Sequence, residues 1–252
     1  MIDRPLLKTN AKLLMRKAGF KIFWYTLFFI IASTAADYVI QIRLPNLYTY
    51  INAGDPDGLI DYITTTGGSL RLLLVVAAIM LVYNLFVAII GVGYKRTCLM
   101  VARDEKVAFR DMFETFGYWV KIIGLRIAVA VVTGIATLCF IIPGIILSFA
   151  YTQAEFILID NPDIGIIEAM RRSRKLMKGY KFEFFVFQLS YILWHLLSAL
   201  FAITYVYVLP YITVGEALFY EHLCGYRNFS ERKNRPVEDT AEETAEDTTD
   251  KE

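Results

Sequence analysis

Three ionisable residues, Arg126, Glu155 and Glu216, lie inside long apolar stretches of the chain. Charged groups within a bilayer are costly, so they are typical of functional sites or of paired structural contacts. If 122–159 forms a helical hairpin, Arg126 and Glu155 face each other at similar depth, which predicts an ion pair with Glu216 as a second candidate partner. Two interpretations stay open: a proton- or ion-linked site, and a structural pair or an arginine that snorkels to the headgroups.

Motifs of known catalytic chemistry are absent from the sequence. It has no H-E-x-x-H, no G-x-S-x-G nucleophile elbow and no P-loop. His195 and His222 are too far apart to predict a metal site without supporting carboxylates. Cys98, Cys139 and Cys224 fall in or beside apolar segments, where cysteine behaves as a small hydrophobe. We therefore expect no enzyme activity, no catalytic residues, and no metal or other cofactor.

The composition is that of a membrane protein. Mean hydropathy is +0.46, with 56% apolar and 20% charged residues, whereas soluble domains carry about 45–50% apolar and about 25% charged residues. The apolar residues are concentrated in runs long enough to cross roughly 30 Å of hydrocarbon. This pattern predicts an all-α polytopic helix bundle, and because the basic residues flank the runs, it makes nucleic-acid binding a poor interpretation.

Six membrane spans are predicted, at about 20–40, 70–94, 122–142, 144–159, 182–203 and 206–222. The stretch 122–159 is too long for one helix across the bilayer, and the helix-breaking pair Pro143-Gly144 lies inside it. We therefore interpret it as a hairpin. The segment 144–159 would be about 24 Å long, so a re-entrant element is an alternative to a full span.

Basic residues predict the orientation of these spans. Lys and Arg gather in 1–21, 95–121 and 171–181, whereas the connection 41–69 is acidic and has a single cation, Arg43. Cytoplasmic loops carry the excess of Lys and Arg, so both termini are predicted to be cytoplasmic.

A basic amphipathic helix is predicted between the fourth and fifth spans. Asn161, Pro162 and Asp163 suit a helix N-terminus as cap, first residue and dipole partner. One apolar face consists of Ile166, Ala169, Met170, Ser173, Leu176 and Met177. The candidate lipid-headgroup contacts are Arg171, Arg172, Arg174, Lys175 and Lys178. Such a helix lies at the interface and meets anionic headgroups; a topology anchor without lipid specificity is the alternative.

The two ends of the chain differ in charge. Residues 1–19 form a cytoplasmic basic segment with weaker amphipathic spacing, in which Lys8, Lys12 and Arg16 recur at helical intervals. Residues 226–252 end in a dense run of Asp and Glu with almost no apolar content, which predicts a disordered cytoplasmic tail. This tail either solvates the protein or shields the basic helix.

The second half of the chain resembles a known family. The motifs that carry the resemblance are Ile142-Pro143-Gly144-Ile145, Asn161-Pro162, Ser173 through Gly179, and Leu209-Pro210-Tyr211. They are similar to an uncharacterised family of bacterial, largely Firmicute, integral membrane proteins classed as a domain of unknown function. A weaker similarity is to the membrane domain of some glycerophosphodiester phosphodiesterases, whose catalytic domain this sequence does not contain. The resemblance implies a fold and a bacterial cytoplasmic membrane, but no activity.

These observations favour a non-enzymatic membrane accessory or scaffold protein that engages anionic lipid, with a membrane-protein partner or a second copy of the chain as further candidate partners. The alternative is a transporter or exporter component for an ion, small molecule or peptide that uses Arg126, Glu155 and Glu216. The two functions differ in one feature. A transporter needs these three residues to face a hydrated cavity, while a scaffold needs them paired and buried.

Overall fold

The fold is all-helical in a computed structural model that describes residues 4–43 and 70–225, with positions 49, 53–55, 57, 58 and 60 between them. Within these residues the chain forms α-helices and short 3-10 turns, and no strand. The predicted acidic tail and most of the connection 41–69 lie outside the described residues.

Ten helices carry the architecture of the described ranges. They are α1 Arg4–Ala18, α2 Lys21–Arg43, α3 Leu70–Ala102, α4 Trp119–Cys139, α5 Ile141–Tyr151, α6 Ala154–Asp160, α7 Ile166–Leu176, α8 Lys181–Leu189, α9 Ile192–Leu200 and α10 Tyr205–Leu223. Three 3-10 turns, Phe109–Met112, Glu114–Tyr118 and Ala202–Thr204, join them.

Among the described residues, four segments are long and apolar enough to cross a membrane: 77–102, 109–139, 141–160 and 181–200. A fifth exists if α1 and α2, which meet at an angle of 96°, count as one bent span. Helix α10 is not among these candidates, so six spans are not confirmed. Its 19 residues include Glu216 and Glu221 together with four tyrosines, which interrupt the apolar run.

The hairpin of α4 and α5 turns earlier than the sequence predicted. The break lies at Phe140, whose backbone is extended (φ −156°, ψ 130°), and not at Pro143-Gly144. Pro143 instead sits in the first turn of α5, where a missing N–H costs no helical hydrogen bond. A Cβ on Gly144 would lie 2.1 Å from Thr137 Oγ1, so this glycine permits the close approach of the two helices.

Three other predicted boundaries also move. Helix α3 continues past the predicted end at residue 94 as far as Ala102, so Lys95 is helical. The segment predicted as 144–159 is two helices, because a tight turn from Thr152 N–H to the Phe149 carbonyl ends α5. The segment predicted as 182–203 is likewise interrupted at Ser190 and Tyr191, between α8 and α9.

The bundle has a packed end and an apolar exposed end. Helix α10 lies at the centre of the packed end, where it contacts α1, α2, α3 and α9, and nearly all of it from Val208 to Glu221 is buried. The opposite ends of α3, α4 and α9 expose large apolar side chains instead. Surface of this kind needs a cover of lipid or protein.

Helix α7 starts later than the sequence predicted. Its N-cap is Gly165 in an extended conformation, and residues 161–165 form a turn. The prediction that Asn161 caps this helix and Pro162 opens it is therefore wrong. The first turn instead contains Glu168 as its acidic residue, which suits the positive end of the helix dipole.

Candidate functional site: buried ion pairs and a basic cavity

The structure brings Arg126 and Glu155 together, as the sequence predicted. Arg126 Nε donates to Glu155 Oε1 at 2.8 Å. Lys95 Nζ lies 2.9 Å from the other oxygen, Oε2. The exposed fractions of the side chains are 18% for Glu155, 27% for Lys95 and 39% for Arg126. One carboxylate therefore bridges two cations from α3 and α4, and both of its oxygens are occupied.

Lys95 is the member of this cluster that the sequence did not reveal. It was assigned to a loop because the apolar run of α3 ends at Tyr94. Its depth in the membrane could have indicated it. Lys95 directly follows the apolar run and so lies at a depth similar to that of Arg126 and Glu155. A continuous helix through residue 95 would have placed it beside them.

Glu216 does not join this cluster by a direct bond. Its Oε1 accepts a hydrogen bond from Gln188 Nε2 at 2.6 Å, a contact between α10 and α8. Among the described residues it forms no ion pair with Arg126. The prediction that Glu216 is a second partner of Arg126 is therefore not met by the geometry.

A second cluster lies at the packed end of the bundle. Arg103 donates from Nη2 to Asp160 Oδ2 and from Nε to Glu221 Oε1, both at 2.6 Å. Tyr220 OH donates to the same Asp160 oxygen at 2.8 Å. Burial by itself lowers the pKa of the Arg103 guanidinium, but the hydrogen bond and charge of Asp160, followed by those of Glu221, outweigh it and raise the pKa.

This second cluster joins residues that the sequence treated separately. Asp160 directly follows one predicted span, Glu221 lies at the end of another, and Arg103 belongs to the intervening basic segment. All three residues lie at or near the ends of predicted spans and so at a similar depth in the membrane. This shared depth could have indicated that they contact one another. The cluster fastens the ends of α3, α6 and α10 to one another.

Helix α7 has one buried and one basic face. Ala169, Met170, Ser173 and Met177 are buried, and the Ser173 hydroxyl donates to the Ala150 carbonyl at 2.8 Å. The cations Arg171, Arg172, Arg174, Lys175 and Lys178 are exposed. The C-terminal half of α7 therefore lies level with the end of α5, not with the far end of α6.

The basic face of α7 borders a cavity of about 960 Å³. Its apolar wall includes Ala128, Val131 and Val132 of α4, with Ile167 and Met170 of α7. Its basic side consists of Arg171, Arg174, Lys175, Lys178 and Lys181. Tyr151 completes the lining, and none of the lining residues that the structure describes is acidic. Arg172 does not line it, although it lies on the same helix.

The cations of the cavity are held in different ways. Arg174 Nη2 donates to Tyr151 OH at 3.2 Å, and its guanidinium lies 5.8 Å from the centre of the Tyr151 ring. Within the part of the chain that the structure describes, Lys175, Lys178 and Lys181 form no ion pair. The cavity thus has an excess of positive charge beside an apolar wall.

The residues considered for metal or thiol chemistry lie apart. His195 is exposed on α9. Cys98 is buried, whereas Cys139 and Cys224 are exposed. In residues 4–43 and 70–225, no three His, Cys, Asp or Glu side chains are grouped so that they could hold a metal ion.

A family model matches part of the chain. No curated protein and no solved structure matches the chain. A family model described as "Protein of unknown function (DUF975)" matches residues 120–226, which confirms the resemblance to a domain of unknown function over that part of the chain. The match covers α4 to α10, and so includes Arg126, Glu155 and the whole cavity. Residues 120–226 are therefore similar to a family whose own description assigns no activity.

Proposed function

We propose that this chain is a multi-pass protein of the bacterial cytoplasmic membrane that acts without catalysis, as an accessory or scaffold protein engaging anionic lipid. The observation that carries the proposal is the cavity in which five cations stand beside an apolar wall. Basic side chains next to an anionic leaflet contribute about 1 kcal/mol each. The exposed apolar parts of α3 and α9 are then covered by lipid, by a second copy or by another membrane protein.

The position of α7 supports the proposal that the surface of the bilayer lies at the cavity. The Ser173–Ala150 hydrogen bond and the Arg174–Tyr151 contact place the cations beside the end of α5. Beyond this level, α5 and the facing part of α4 expose apolar side chains. A bilayer boundary here keeps the cations among the headgroups and the apolar surface in hydrocarbon.

The pairing of Glu155 supports a scaffold over a transporter. Both of its oxygens are bound, one by Arg126 and one by Lys95. A site that exchanges a proton or an ion needs an accessible group whose partner changes during transport. A transporter or exporter component using Arg126, Glu155 and Glu216 stays the second candidate, supported by the partial exposure of Arg126.

For the topology, we propose six membrane-inserted segments with both termini on the cytoplasmic side. They are α2, α3, α4, α5 with α6, α8 with α9, and α10. The number of membrane crossings is even whether or not the hairpin of α4 and α5 crosses the bilayer completely. Both termini therefore lie on the same side of the membrane. Helix α5 has 11 residues, about 16 Å of length, against roughly 30 Å of hydrocarbon.

The tip of this hairpin favours a re-entrant element. Leu138, Phe140, Ile141 and Ile142 are all exposed and apolar, which suits a tip that stays in hydrocarbon. Cys139 at the tip tests this directly. In a Cys224→Ser variant, a membrane-impermeant maleimide should label Cys139 only after detergent is added. Labelling from the outer face of intact cells would instead establish a full crossing.

The function is tested by thermal unfolding of the full chain in detergent with added phosphatidylglycerol or phosphatidylcholine. A ligand that binds only the folded state raises the unfolding temperature by an amount that grows with the ratio of its free concentration to its dissociation constant. We expect a larger rise with phosphatidylglycerol, and we expect a triple variant with Arg174, Lys175 and Lys178 all changed to Gln to lose the difference. Equal rises with both lipids in the wild-type protein would refute anionic-lipid engagement.

A further inference from the structure

We propose that the cavity between α4, α5 and α7 binds a single anionic phospholipid, with its phosphate among the α7 cations and one acyl chain along α4. The proposal rests on the proposed function and deepens it, because it replaces general attraction to an anionic surface with a defined site. Its volume of about 960 Å³ lies at the upper end of the range for ligand pockets, about 300–1,000 Å³.

The two sides of the cavity require an amphiphilic ligand. A soluble phosphate compound would leave the wall of Ala128, Val131 and Val132 without an apolar partner. A neutral hydrocarbon would leave the cations on the other side without a counter-charge. A lipid with a phosphate and a chain satisfies both sides at once, because burial of apolar surface and pairing of charge then act on the same molecule.

Arg174 is the best-placed phosphate ligand. Tyr151 holds its guanidinium by a hydrogen bond and by the contact with its ring. A planar guanidinium fixed in this way can donate two parallel hydrogen bonds to phosphate oxygens. Lys175, Lys178 and Lys181 add ammonium groups that have no carboxylate partner within the described residues. The phosphate therefore meets positive charge, and no acidic side chain among the described lining residues competes for it.

The apolar wall continues beyond the cavity along α4. Val131, Ile135 and Leu138 are exposed on the part of α4 that leads towards the hairpin tip. From Ala128 to Leu138 the helix rises about 15 Å. An acyl chain that leaves the cavity can follow this surface into the hydrocarbon. The cations of the site thus lie where the phosphate of a phospholipid lies in a leaflet, and the apolar surface of α4 lies where its acyl chain lies.

The site is tested by native mass spectrometry of the full chain in detergent titrated with phosphatidylglycerol, with bound lipid counted for each protein. We expect one tightly bound lipid in the wild-type protein. Arg174→Gln should weaken this binding at least about tenfold, because it removes a charged hydrogen-bond donor. Arg172→Gln removes the same charge from α7 outside the cavity and should have little effect. Val131→Phe should displace the lipid by filling the cavity, whereas the same change at Val82, which is exposed on α3 and does not line the cavity, should not.

The outcomes separate the site from the general function. If Arg172→Gln and Arg174→Gln weaken binding equally and Val131→Phe changes nothing, the site is refuted while anionic-lipid engagement stands. If phosphatidylglycerol and phosphatidylcholine bind the wild-type protein equally, both proposals fail. Glycerol phosphate is the soluble competitor: displacement of the lipid at equal concentration would overturn the lipid site in favour of a small-anion site. Thermal unfolding of each lipid-free variant verifies that it is folded.

Discussion

Glu155→Gln is the substitution that tests the bridging carboxylate most directly. It keeps the size of the side chain but removes the charge that pairs with both Lys95 and Arg126. An amide oxygen can still accept one hydrogen bond, so the geometry survives while the electrostatic pairing is lost. Two cations on neighbouring helices are then left facing each other without a counter-charge.

The size of the effect follows from burial. Removing one partner of a fully buried ion pair costs about 3–5 kcal/mol. Glu155 is largely buried, but the Arg126 side chain is 39% exposed, so water screens part of the loss. We therefore expect a decrease of about 2 kcal/mol in the free energy of unfolding. For a chain of this size, that corresponds to a fall of about 4–8 °C in the unfolding temperature.

The assay is thermal unfolding in detergent, with Glu168→Gln as the matched control. The Glu168 carboxylate also pairs with two cations, Arg171 at 3.2 Å and Arg172 at 3.0 Å. Those arginine side chains are 75% and 51% exposed, so the control should lose less than about 1 kcal/mol. Equal shifts for the two variants would refute the claim that the Glu155 pairing is a stabilising contact. Adding Lys95→Met to Glu155→Gln should recover part of the loss.

Three further perturbations have definite expectations. Arg103→Gln removes the cation that pairs with two largely buried carboxylates and should lower the free energy of unfolding by about 3 kcal/mol, read from the unfolding temperature. Gly93→Ala should prevent stable folding, because the new Cβ would lie 2.0 Å from the Met112 carbonyl oxygen, whereas Gly134→Ala meets nothing within 4 Å and should stabilise α4 by up to about 1 kcal/mol; gel filtration in detergent separates the two. Deletion of residues 237–252 should leave phosphatidylglycerol binding unchanged if this acidic segment only solvates the protein, and tighter binding would show that it shields α7.

The sequence predicts a contact between two charged residues when their depth in the membrane is enough to pair them. Arg126 and Glu155 could be paired because charges at similar height on the two arms of a hairpin have few other partners in an apolar run. Lys95 was missed because its helix extends past the apolar residues, and periodicity of hydrophobic residues does not mark where a helix ends. The break at Phe140 was missed for a related reason: proline breaks a helix interior but fits its first turn.

The cavity could not be predicted from the sequence, although its cations could. Arg171, Arg174, Lys175 and Lys178 were expected at the membrane surface from their charge alone. The apolar wall on α4 becomes part of the same site only because α7 folds back along α6 to the end of α5, where Ser173 contacts the Ala150 carbonyl. Such a contact between distant segments has no local sequence signal. The late start of α7 at Gly165 shows the same limit, because tertiary packing overrode the capping preference of Asn161.

The most direct test of anionic-lipid engagement is the lipid composition that the protein retains from its own membrane. The full chain is extracted with a disc-forming polymer, and the ratio of anionic to zwitterionic lipid in the discs is compared with that of the bulk membrane. We expect enrichment of anionic lipid around the wild-type protein, and a return to the bulk ratio when Arg174, Lys175 and Lys178 are all changed to Gln. A wild-type ratio equal to that of the bulk membrane would contradict the proposed function.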